Sequence, residues 1–285
     1  MGYNPIDFSV SMCVYGGDDP AHFDIALESV VNQTVKPAEI VLVVDGPVPD
    51  DTDSVIEKYQ KISQAHRIGF SVYRLEQNMG HGAARRLSLD KCTHEYIALM
   101  DADDISVPDR FEKQIAYMNT HPNISVVGGN ITEFINQRNG RDISRKAGCR
   151  IVPETDGAIK EYMKKRCPMN QVTVMFNRNA VRKAGGYIDW YCEEDYYLWV
   201  RLALKEYEFA NLNQNLVNVR VGEEMYRRRG GIRYFRSEEK LHRFMYGKRM
   251  ISFRRYMMNV SERLVVQVLM PNKVRGWVFR KLARQ

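Results

Sequence analysis

YIALMDADDISVPDRFEKQ, residues 96–114, is the segment that decides the fold. It begins with Tyr96–Met100, an apolar run without polar alternation, as in a strand that is covered on both faces of a parallel sheet. Asp101, Asp103 and Asp104 follow within four positions. Because like charges repel, a buried strand that ends in such a cluster predicts a bound cation or a phosphate-bearing ligand.

Further apolar runs alternate with amphipathic stretches through the first half of the chain. The pattern predicts strands at 8–16, 39–46 and 70–75 and helices at 24–34, 51–65 and 80–92. Such strands, joined by helices, predict a doubly wound, Rossmann-like α/β fold with a mostly parallel central sheet and helices on both faces. Ligands of these sheets bind beyond the carboxyl ends of the strands, where Tyr15, Asp45 and Asp101 lie.

The second half of the chain has a looser pattern. Ser106, Pro108 and Asp109 predict the start of a helix, with Ser106 as its N-cap. The remaining predictions are strands at 124–135 and 171–177, a surface loop within 136–166, a helix at 193–206, a strand pair or meander at 207–221 and basic helices from 232.

The composition is that of a soluble globular protein, with 44% hydrophobic and 27% charged residues among 285. Five cysteines without CxxC spacing favour reduced thiols in a cytosolic compartment. The sequence shows no signal-peptide pattern, and no apolar run approaches the roughly 20 residues of a membrane span. We therefore expect a cytoplasmic protein, with peripheral attachment to the inner face of the cytoplasmic membrane as a further option.

Charge is distributed unevenly along the chain. The net charge is +7, yet residues 220–285 hold 18 Lys and Arg against 5 Asp and Glu. The preceding 219 residues hold 24 basic against 30 acidic side chains. An acidic body with a basic tail indicates two tasks on one chain.

Common nucleotide and metal motifs are absent from the sequence. There is no GxxxxGK[ST] loop, no HExxH and no paired CxxC. Gly80 and Gly82 begin a GxGxxG, but Arg85 at its third position is too large for the close helix–strand packing of a dinucleotide site. The sequence thus argues against P-loop, zinc and dinucleotide chemistry.

The pair Asp101-Ala102-Asp103 fits a hard divalent cation. Carboxylates one residue apart at a strand end can face the same point, and Mg²⁺ or Mn²⁺ prefers one or two protein carboxylates together with substrate phosphates. The alternative is an acidic turn that caps the following helix, with Asp104 and Ser106 supplying the cap.

Together these segments resemble a known family. Five segments follow the order found in family-2 glycosyltransferases with the GT-A fold. They are VSMCVYGGDD, LESVVNQTVKPAEIVLVVDG, NMGHGAARRLSL, YIALMDADDISVPDRFEKQ and GGYIDWYCEEDYYLWVRL. The resemblance spans roughly residues 8–221, and its several long, co-linear motifs make it specific. CPMNQVTVMFNRNAV and MYRRRGG look like the corresponding segments of bacterial exopolysaccharide and capsule transferases.

The resemblance implies a role for each residue of the donor site. Val14 and Tyr15 correspond to the positions that pack the nucleotide base, and Asp45 to the position that hydrogen-bonds it. Asp101, Ala102 and Asp103 form the DxD motif. Asp103 corresponds to the metal ligand. Asp101 corresponds to the carboxylate near the ribose and is also expected close to the cation.

Other positions of the donor site match the family less closely. Arg85 follows the N-x-G turn that ends at Gly80 and is expected to meet a phosphate, although Arg86 replaces the usual Asn. Val44 and Pro47 stand where the family has Asp and Ser, which leaves one carboxylate at the base pocket.

Glu194 and Asp195 correspond to the family's catalytic pair, in which the Asp is the base. An ionised carboxylate at a helix N-terminus can accept the proton of an attacking hydroxyl. The structural alternative is that Glu193, Glu194 and Asp195 only favour the helix dipole. Trp190 is expected to stack on a sugar, whereas Trp199 is expected in the core.

The basic C-terminal region offers two more sites. Arg227, Arg228 and Arg229 lie between glycines and are expected to close over the diphosphate as a lid, or to form a solvated loop. Residues 268–285 interleave apolar and basic side chains, which suits a helix on an anionic membrane surface as well as ordinary packing on the domain.

The sequence therefore predicts an inverting glycosyltransferase that depends on Mn²⁺ or Mg²⁺. It would move a sugar from a nucleoside diphosphate, expected to be UDP, to a glycan acceptor, expected to be lipid-linked, in surface polysaccharide assembly. The expected divisions are a GT-A domain at 1–221, with a nucleotide-sugar half at about 1–105 and an acceptor half at about 106–221, and a helical basic extension at 222–285. The alternatives are a nucleotidylyltransferase-like enzyme and a nucleic-acid-binding protein; we expect no nucleic-acid partner.

Overall fold

The computed structural model describes residues 6–135, 142–222 and 230–270. These residues form one nine-stranded sheet in the order β3-β2-β1-β4-β8-β6-β9-β5, with β7 paired to β6. The strands are β1 (Phe8–Tyr15), β2 (Glu39–Asp45), β3 (Gly69–Arg74), β4 (Tyr96–Asp101), β5 (Ile105–Ser106), β6 (Ile124–Ile135), β7 (Lys146–Arg150), β8 (Met175–Asn177) and β9 (Glu208–Val221). The helices are α1 (Pro20–Val31), α2 (Asp50–Ala65), α3 (His81–Lys91), α4 (Arg110–Thr120), α5 (Asp156–Met163), α6 (Arg178–Lys183), α7 (Glu194–Leu204), α8 (Ile232–Gly247) and α9 (Phe253–Arg263), followed by a π-helical turn, Leu264–Leu269.

The first four strands of the sheet are parallel, and their register brings their ends together. Tyr15 pairs with Asp45 across β1 and β2, and Cys13 pairs with Asp101 across β1 and β4. The rest of the sheet is mixed, because β8 runs antiparallel to both β4 and β6. The α/β fold predicted from the apolar strands is confirmed, and the predicted tips meet at one edge.

Two local predictions from the second half were wrong, and a third was incomplete. Ser106 is not a helix cap: it pairs with Val217 of β9, and its hydroxyl accepts a hydrogen bond from Gln33 (3.2 Å), so the helix starts later, at Arg110. The polar stretch after β6 contains β7 and α5 besides loop. The predicted strand pair at 207–221 is the single strand β9, because its whole length pairs with β6.

The core has two layers, one on each face of the sheet. α1, α2 and α4 cover one face, where Phe23 and Phe111 are fully buried. α5, α6 and α7 contribute to the other layer, in which Trp199 is fully buried, as predicted. Leu241 and Met245 of α8 belong to this second layer. The described part of the C-terminal extension therefore shares its core with the body of the protein.

One buried arginine joins the parallel and mixed parts of the sheet. Arg110 of α4 is fully buried and donates to the carbonyl of Leu99 (2.8 Å) and to Oε1 of Gln114 (3.0 Å). Gln114 in turn donates to the carbonyls of Val127 and Thr173. Burial lowers the pKa of Arg110 to about 9. The hydrogen bonds to neutral acceptors stabilise the buried guanidinium.

We expect Arg110→Met to lower the free energy of unfolding by about 3 kcal/mol, because two buried acceptors lose their donor. Urea denaturation followed by circular dichroism measures this. Lys113→Met, on the same helix, removes only a partly exposed ion pair with Asp109 and should cost less than about 1 kcal/mol. Equal losses in the two variants would contradict the role assigned to Arg110.

Candidate active site

Asp45, at the end of β2, anchors the turn that leads into α3. Its carboxylate accepts the backbone N–H groups of Met79 (2.7 Å) and Gly80 (3.0 Å) and is 4% exposed. Gly80 has φ +86°, a conformation that favours glycine, and α3 begins at the next residue. Asp45 therefore shapes the site through the backbone, and its predicted hydrogen bond to the base stays a prediction.

Arg85 of α3 lies beneath the ends of β1 and β4. Its side chain is 1% exposed, and its guanidinium donates to the carbonyls of Ser11 (2.8 Å) and Met100 (3.0 Å) and to the carboxylate of Asp101. This arrangement joins the two central strands and fixes the direction of the Asp101 side chain. It favours a positioning role for Arg85 over the phosphate contact expected from the sequence.

Of the three clustered aspartates, Asp104 has a structural role. It is 3% exposed, and its carboxylate accepts the backbone N–H of Arg220 on β9 (2.8 Å). Burial, then Asp103 and Asp101, raise its pKa well above the usual value. It does not cap a helix, so the alternative interpretation of the acidic turn was wrong. The carboxylates of Asp101 and Asp103 are partly exposed, and Ala102 between them is buried.

Asp18, in the turn after β1, adds a carboxylate that was not assigned a role among the predicted site residues. It accepts the N–H of Tyr15 (3.0 Å), and burial, followed by the charges of Asp103 and Asp101, raises its pKa to about 6. Negative charge is therefore concentrated at this edge of the sheet. The signal in the sequence was the DD pair that follows the first strand.

The residues at this edge fit a hard divalent cation. Their donors are carboxylate oxygens, and Asp101 and Asp103 leave part of their side chains accessible. Within the described ranges, no group of three or more His, Cys, Asp or Glu residues is arranged to hold an ion. Mg²⁺ and Mn²⁺ take few protein ligands and complete their coordination with phosphates and water.

Val14 and Tyr15, which were predicted to pack the nucleotide base, differ in exposure. The Val14 side chain is 1% exposed and belongs to the core, whereas Tyr15 is 43% exposed at the strand end. Only Tyr15 therefore presents a side chain at the sheet edge, and Val14 can contribute its backbone alone.

His81 joins the acidic edge of the sheet to the start of α7. Its Nδ1 lies 2.8 Å from Oε1 of Glu194, and its Nε2 lies 3.9 Å from Oδ1 of Asp101. One imidazole thus spans two carboxylates that are far apart in the sequence. Sequence reasoning missed His81, although its place directly after the Gly80 turn was a usable signal.

Asp195 lies half-buried in the first turn of α7. Burial and then the neighbouring Glu194 raise the pKa of Asp195 to about 6. The Sγ of Cys167 lies 3.9 Å from its Oδ2. A carboxylate with this pKa is ionised at neutral pH and still basic enough to take a proton. Asp195 thus lies near Glu194 and His81, and His81 also reaches Asp101 at the end of β4.

The structure describes only some of the remaining residues that were predicted to contact a ligand or a membrane. Trp190 is partly buried against the second core layer: its Nε1 donates to the carbonyl of Ser237 (3.3 Å), and its ring contacts Tyr197 and Lys240. This packing favours a structural role over the predicted stacking on a sugar. Arg227, Arg228 and Arg229, the predicted lid, lie outside the described residues, as does 271–285 of the predicted membrane helix.

Residues 9–187 match Glycosyl transferase family 2. The chain belongs to this family. It is a glycosyltransferase, and the family supersedes the nucleotidylyltransferase alternative. The chain is 34% identical to the amylovoran biosynthesis glycosyltransferase AmsE of Erwinia amylovora, covering 96% of this chain and 98% of that protein. It is 32% identical to the Escherichia coli UDP-Gal:alpha-D-GlcNAc-diphosphoundecaprenol beta-1,3-galactosyltransferase, over 98% and 97% of the two chains.

The fold agrees with the family. The structure resembles that of the mannosyltransferase PcManGT from Pyrobaculum calidifontis in complex with GDP-Man and Mn²⁺, with a TM-score of 0.62. The two share 14% identity, over 94% of this chain and 71% of that one. This likeness confirms the GT-A fold expected from the sequence.

Arg85→Lys tests the buried guanidinium, since lysine keeps the charge but cannot reach Ser11, Met100 and Asp101 together. We expect the free energy of unfolding to fall by about 2 kcal/mol. Arg86→Lys is the matched control, because Arg86 is the exposed neighbour on the same helix. Chemical denaturation compares the two; unchanged stability of Arg85→Lys would refute the anchoring role.

Proposed function

We propose that this glycosyltransferase is metal-dependent and inverting, and that it moves a sugar from a UDP-sugar to a lipid-linked glycan acceptor in surface polysaccharide assembly. The observation that carries the proposal is the His81 contact between Asp101 and Glu194. It brings the acidic edge of the sheet and the carboxylates of α7 to one site, as a single-step transfer requires.

The donor side rests on the two partly exposed carboxylates of the DxD motif. Asp103 is the proposed metal ligand, with Asp101 beside it and oriented by Arg85. Bound Mn²⁺ or Mg²⁺ supplies positive charge that stabilises the diphosphate leaving group. The pKa of Asp18 is raised chiefly by burial and further by Asp103 and Asp101, and a cation at this edge would offset the second contribution.

The acceptor side rests on Asp195. As a bond forms between the acceptor oxygen and the anomeric carbon, the bond to the diphosphate breaks, and the hydroxyl proton passes to Asp195. One displacement of this kind inverts the anomeric carbon. Glu194 is bound to His81, so we assign it to holding α7 against the donor side.

The choice of UDP and of a lipid-linked acceptor is supported by a relative rather than by geometry. The E. coli relative is named for a UDP-Gal donor and a diphosphoundecaprenol-linked acceptor, and it aligns along nearly the whole chain. Loops set the identity of the sugar and the linkage, so the proposal stops at the class of donor and acceptor.

Asp103→Asn and Asp195→Asn should separate donor binding from transfer. Asp103→Asn is expected to lose the thermal stabilisation that UDP gives in the presence of Mn²⁺. Asp195→Asn should keep that stabilisation and lose about 1,000-fold in transfer rate, because its amide cannot accept the proton.

Calorimetric melting and a radiolabelled-sugar transfer assay measure these two properties. Asp51→Asn, an exposed substitution on α2, is the control and should change neither. Normal transfer by Asp195→Asn would rule out the assigned base, and UDP stabilisation that persists in EDTA would rule out the metal.

The transfer rate should fall in acid as Asp195 becomes protonated. Its pKa is raised to about 6, so the base is ionised above that pH and progressively lost below it. We expect kcat to be level above pH 7 and to fall about tenfold per unit well below pH 6. Initial rates from pH 5 to 8 at saturating donor give the profile. A kcat that stays level down to pH 5 would contradict the assignment.

We also propose that the last described helices rest on an anionic membrane surface. α9 and the π-helical turn expose apolar side chains at helical spacing, which we call the apolar stripe. Its members are Phe253, Met257, Met258, Leu264, Val265, Val268 and Leu269. Exposed Lys248, Arg249 and Arg254 lie on the same helices or between them. An apolar face with adjacent cations suits an anionic bilayer, the expected place of a lipid-linked acceptor. None of the described helices is both long and apolar enough to span a membrane.

Co-sedimentation with phosphatidylglycerol vesicles tests the apolar stripe. Met257→Ser combined with Leu264→Ser should weaken vesicle binding by about tenfold, because less apolar surface moves from water into the bilayer on binding. Leu204→Ser, exposed elsewhere on α7, is the control. Retention on DNA that matches retention on vesicles, or full binding by the double variant, would contradict the proposal.

A further inference from the structure

The start of α7 is held by the C-terminal helices through a buried polar group of side chains. We call it the Glu238 cluster; its members are Glu193, Glu238, Arg263 and Gln267. Glu193, Glu238 and Gln267 are 4%, 8% and 5% exposed. They come from the N-cap position of α7, from α8, from the end of α9 and from the π-helical turn.

Glu238 is the centre of the cluster. Nε of Arg263 lies 3.0 Å from Oε1 of Glu238, and the amide of Gln267 donates to Oε2. Glu193 forms a hydrogen bond with the side chain of Tyr234, on α8. Burial, then Glu238 and Asp195, raise the pKa of Glu193 well above its usual value. Burial therefore favours the neutral form of Glu193 beside the Glu238–Arg263 ion pair.

The N-cap residue of α7 does not cap the helix with its own side chain; within the first turn, Asp195 accepts the backbone N–H of Tyr196 (2.6 Å). The Glu193 side chain makes no capping hydrogen bond to the first turn of α7, although the N-cap position ordinarily supplies one. Its carboxyl group contacts α8 instead. The residues that follow are Glu194 and Asp195, so the direction of α7 at the catalytic site is set by a tertiary contact.

The same helices hold the two chain segments that flank Asp195. On one side, the Ser237 hydroxyl donates to the carbonyl of Tyr191 (2.5 Å), in the loop before α7. On the other, Arg263 donates to the carbonyl of Lys165 (2.6 Å), and Asn259 donates to that of Lys164 (2.8 Å). The chain continues from there to Cys167, which contacts Asp195.

We propose that Glu238, together with Glu193 and Arg263, positions Asp195 for proton transfer from the acceptor. This inference rests on the proposed function, in which Asp195 is the base. None of the three needs to touch a substrate: they act by fixing where α7 begins. The C-terminal helices are thereby part of the catalytic apparatus rather than an appendage to it.

Glu238→Gln tests the proposal, since it keeps the shape of the side chain and removes the charge that pairs with Arg263. We expect kcat to fall by about tenfold, while the affinity for UDP with Mn²⁺, measured by calorimetry, stays within about twofold. The acid limb of the kcat profile should also move below pH 6, because a less confined Asp195 regains part of its ordinary pKa. A merely structural role would not shift that limb.

Two further variants make the result decisive. Ser237→Ala removes the neighbouring hydrogen bond between α8 and the loop before α7 and leaves the charges in place. It therefore tests whether α8 positions the start of α7 should Glu238→Gln fold poorly; kcat should fall about threefold. Arg243→Met breaks the exposed ion pair with Glu239 on α8 and should match the wild type.

The outcomes separate this inference from the proposed function. A wild-type protein that transfers no sugar contradicts the proposed function, and the positioning role with it. If the wild type is active, wild-type kcat and an unmoved acid limb in well-folded Glu238→Gln overturn the positioning role alone. Should that variant fold poorly, wild-type kcat in Ser237→Ala has the same meaning.

Discussion

The arrangement of the site depends on one buried guanidinium. Arg85 lies beneath the central strands, where it binds the carbonyls of Ser11 and Met100 and the carboxylate of Asp101. A buried charge is costly unless hydrogen bonds and an opposite charge compensate for it. Arg85 meets both conditions only if β1 and β4 end side by side with Asp101 turned toward them. Compensation of the buried charge of the guanidinium therefore also fixes the geometry of the strand ends.

The carboxylates at the strand ends have different roles. Asp104 turns inward to bind the backbone of β9, and Asp45 turns toward the backbone of the α3 turn. Asp101 and Asp103 keep part of their surface accessible. Some of these carboxylates bind backbone N–H groups, and the others leave negative charge where a cation can offset it. These interactions explain how the repulsion between the carboxylates is tolerated.

The C-terminal helices change the view of the chain as a body with a basic tail. Leu241 and Met245 complete the second core layer, and the Glu238 cluster reaches the first residues of α7. Apolar and basic side chains on the outer side of the same helices face solvent. One pair of helices therefore carries both the surface proposed for anionic lipid and the contacts that hold the start of α7.

The sequence by itself determined the α/β fold, the parallel strands around Tyr96–Asp101 and the DxD motif. These features are local, since burial on both faces and strand ends leave their mark in runs of a few residues. Only the tertiary structure decided that Ser106 forms a strand rather than a cap, that Arg85 faces inward, and which carboxylates and cations His81 and Glu238 contact. Those outcomes depend on partners distant in the chain, and no local pattern specifies which buried polar group will meet which carboxylate.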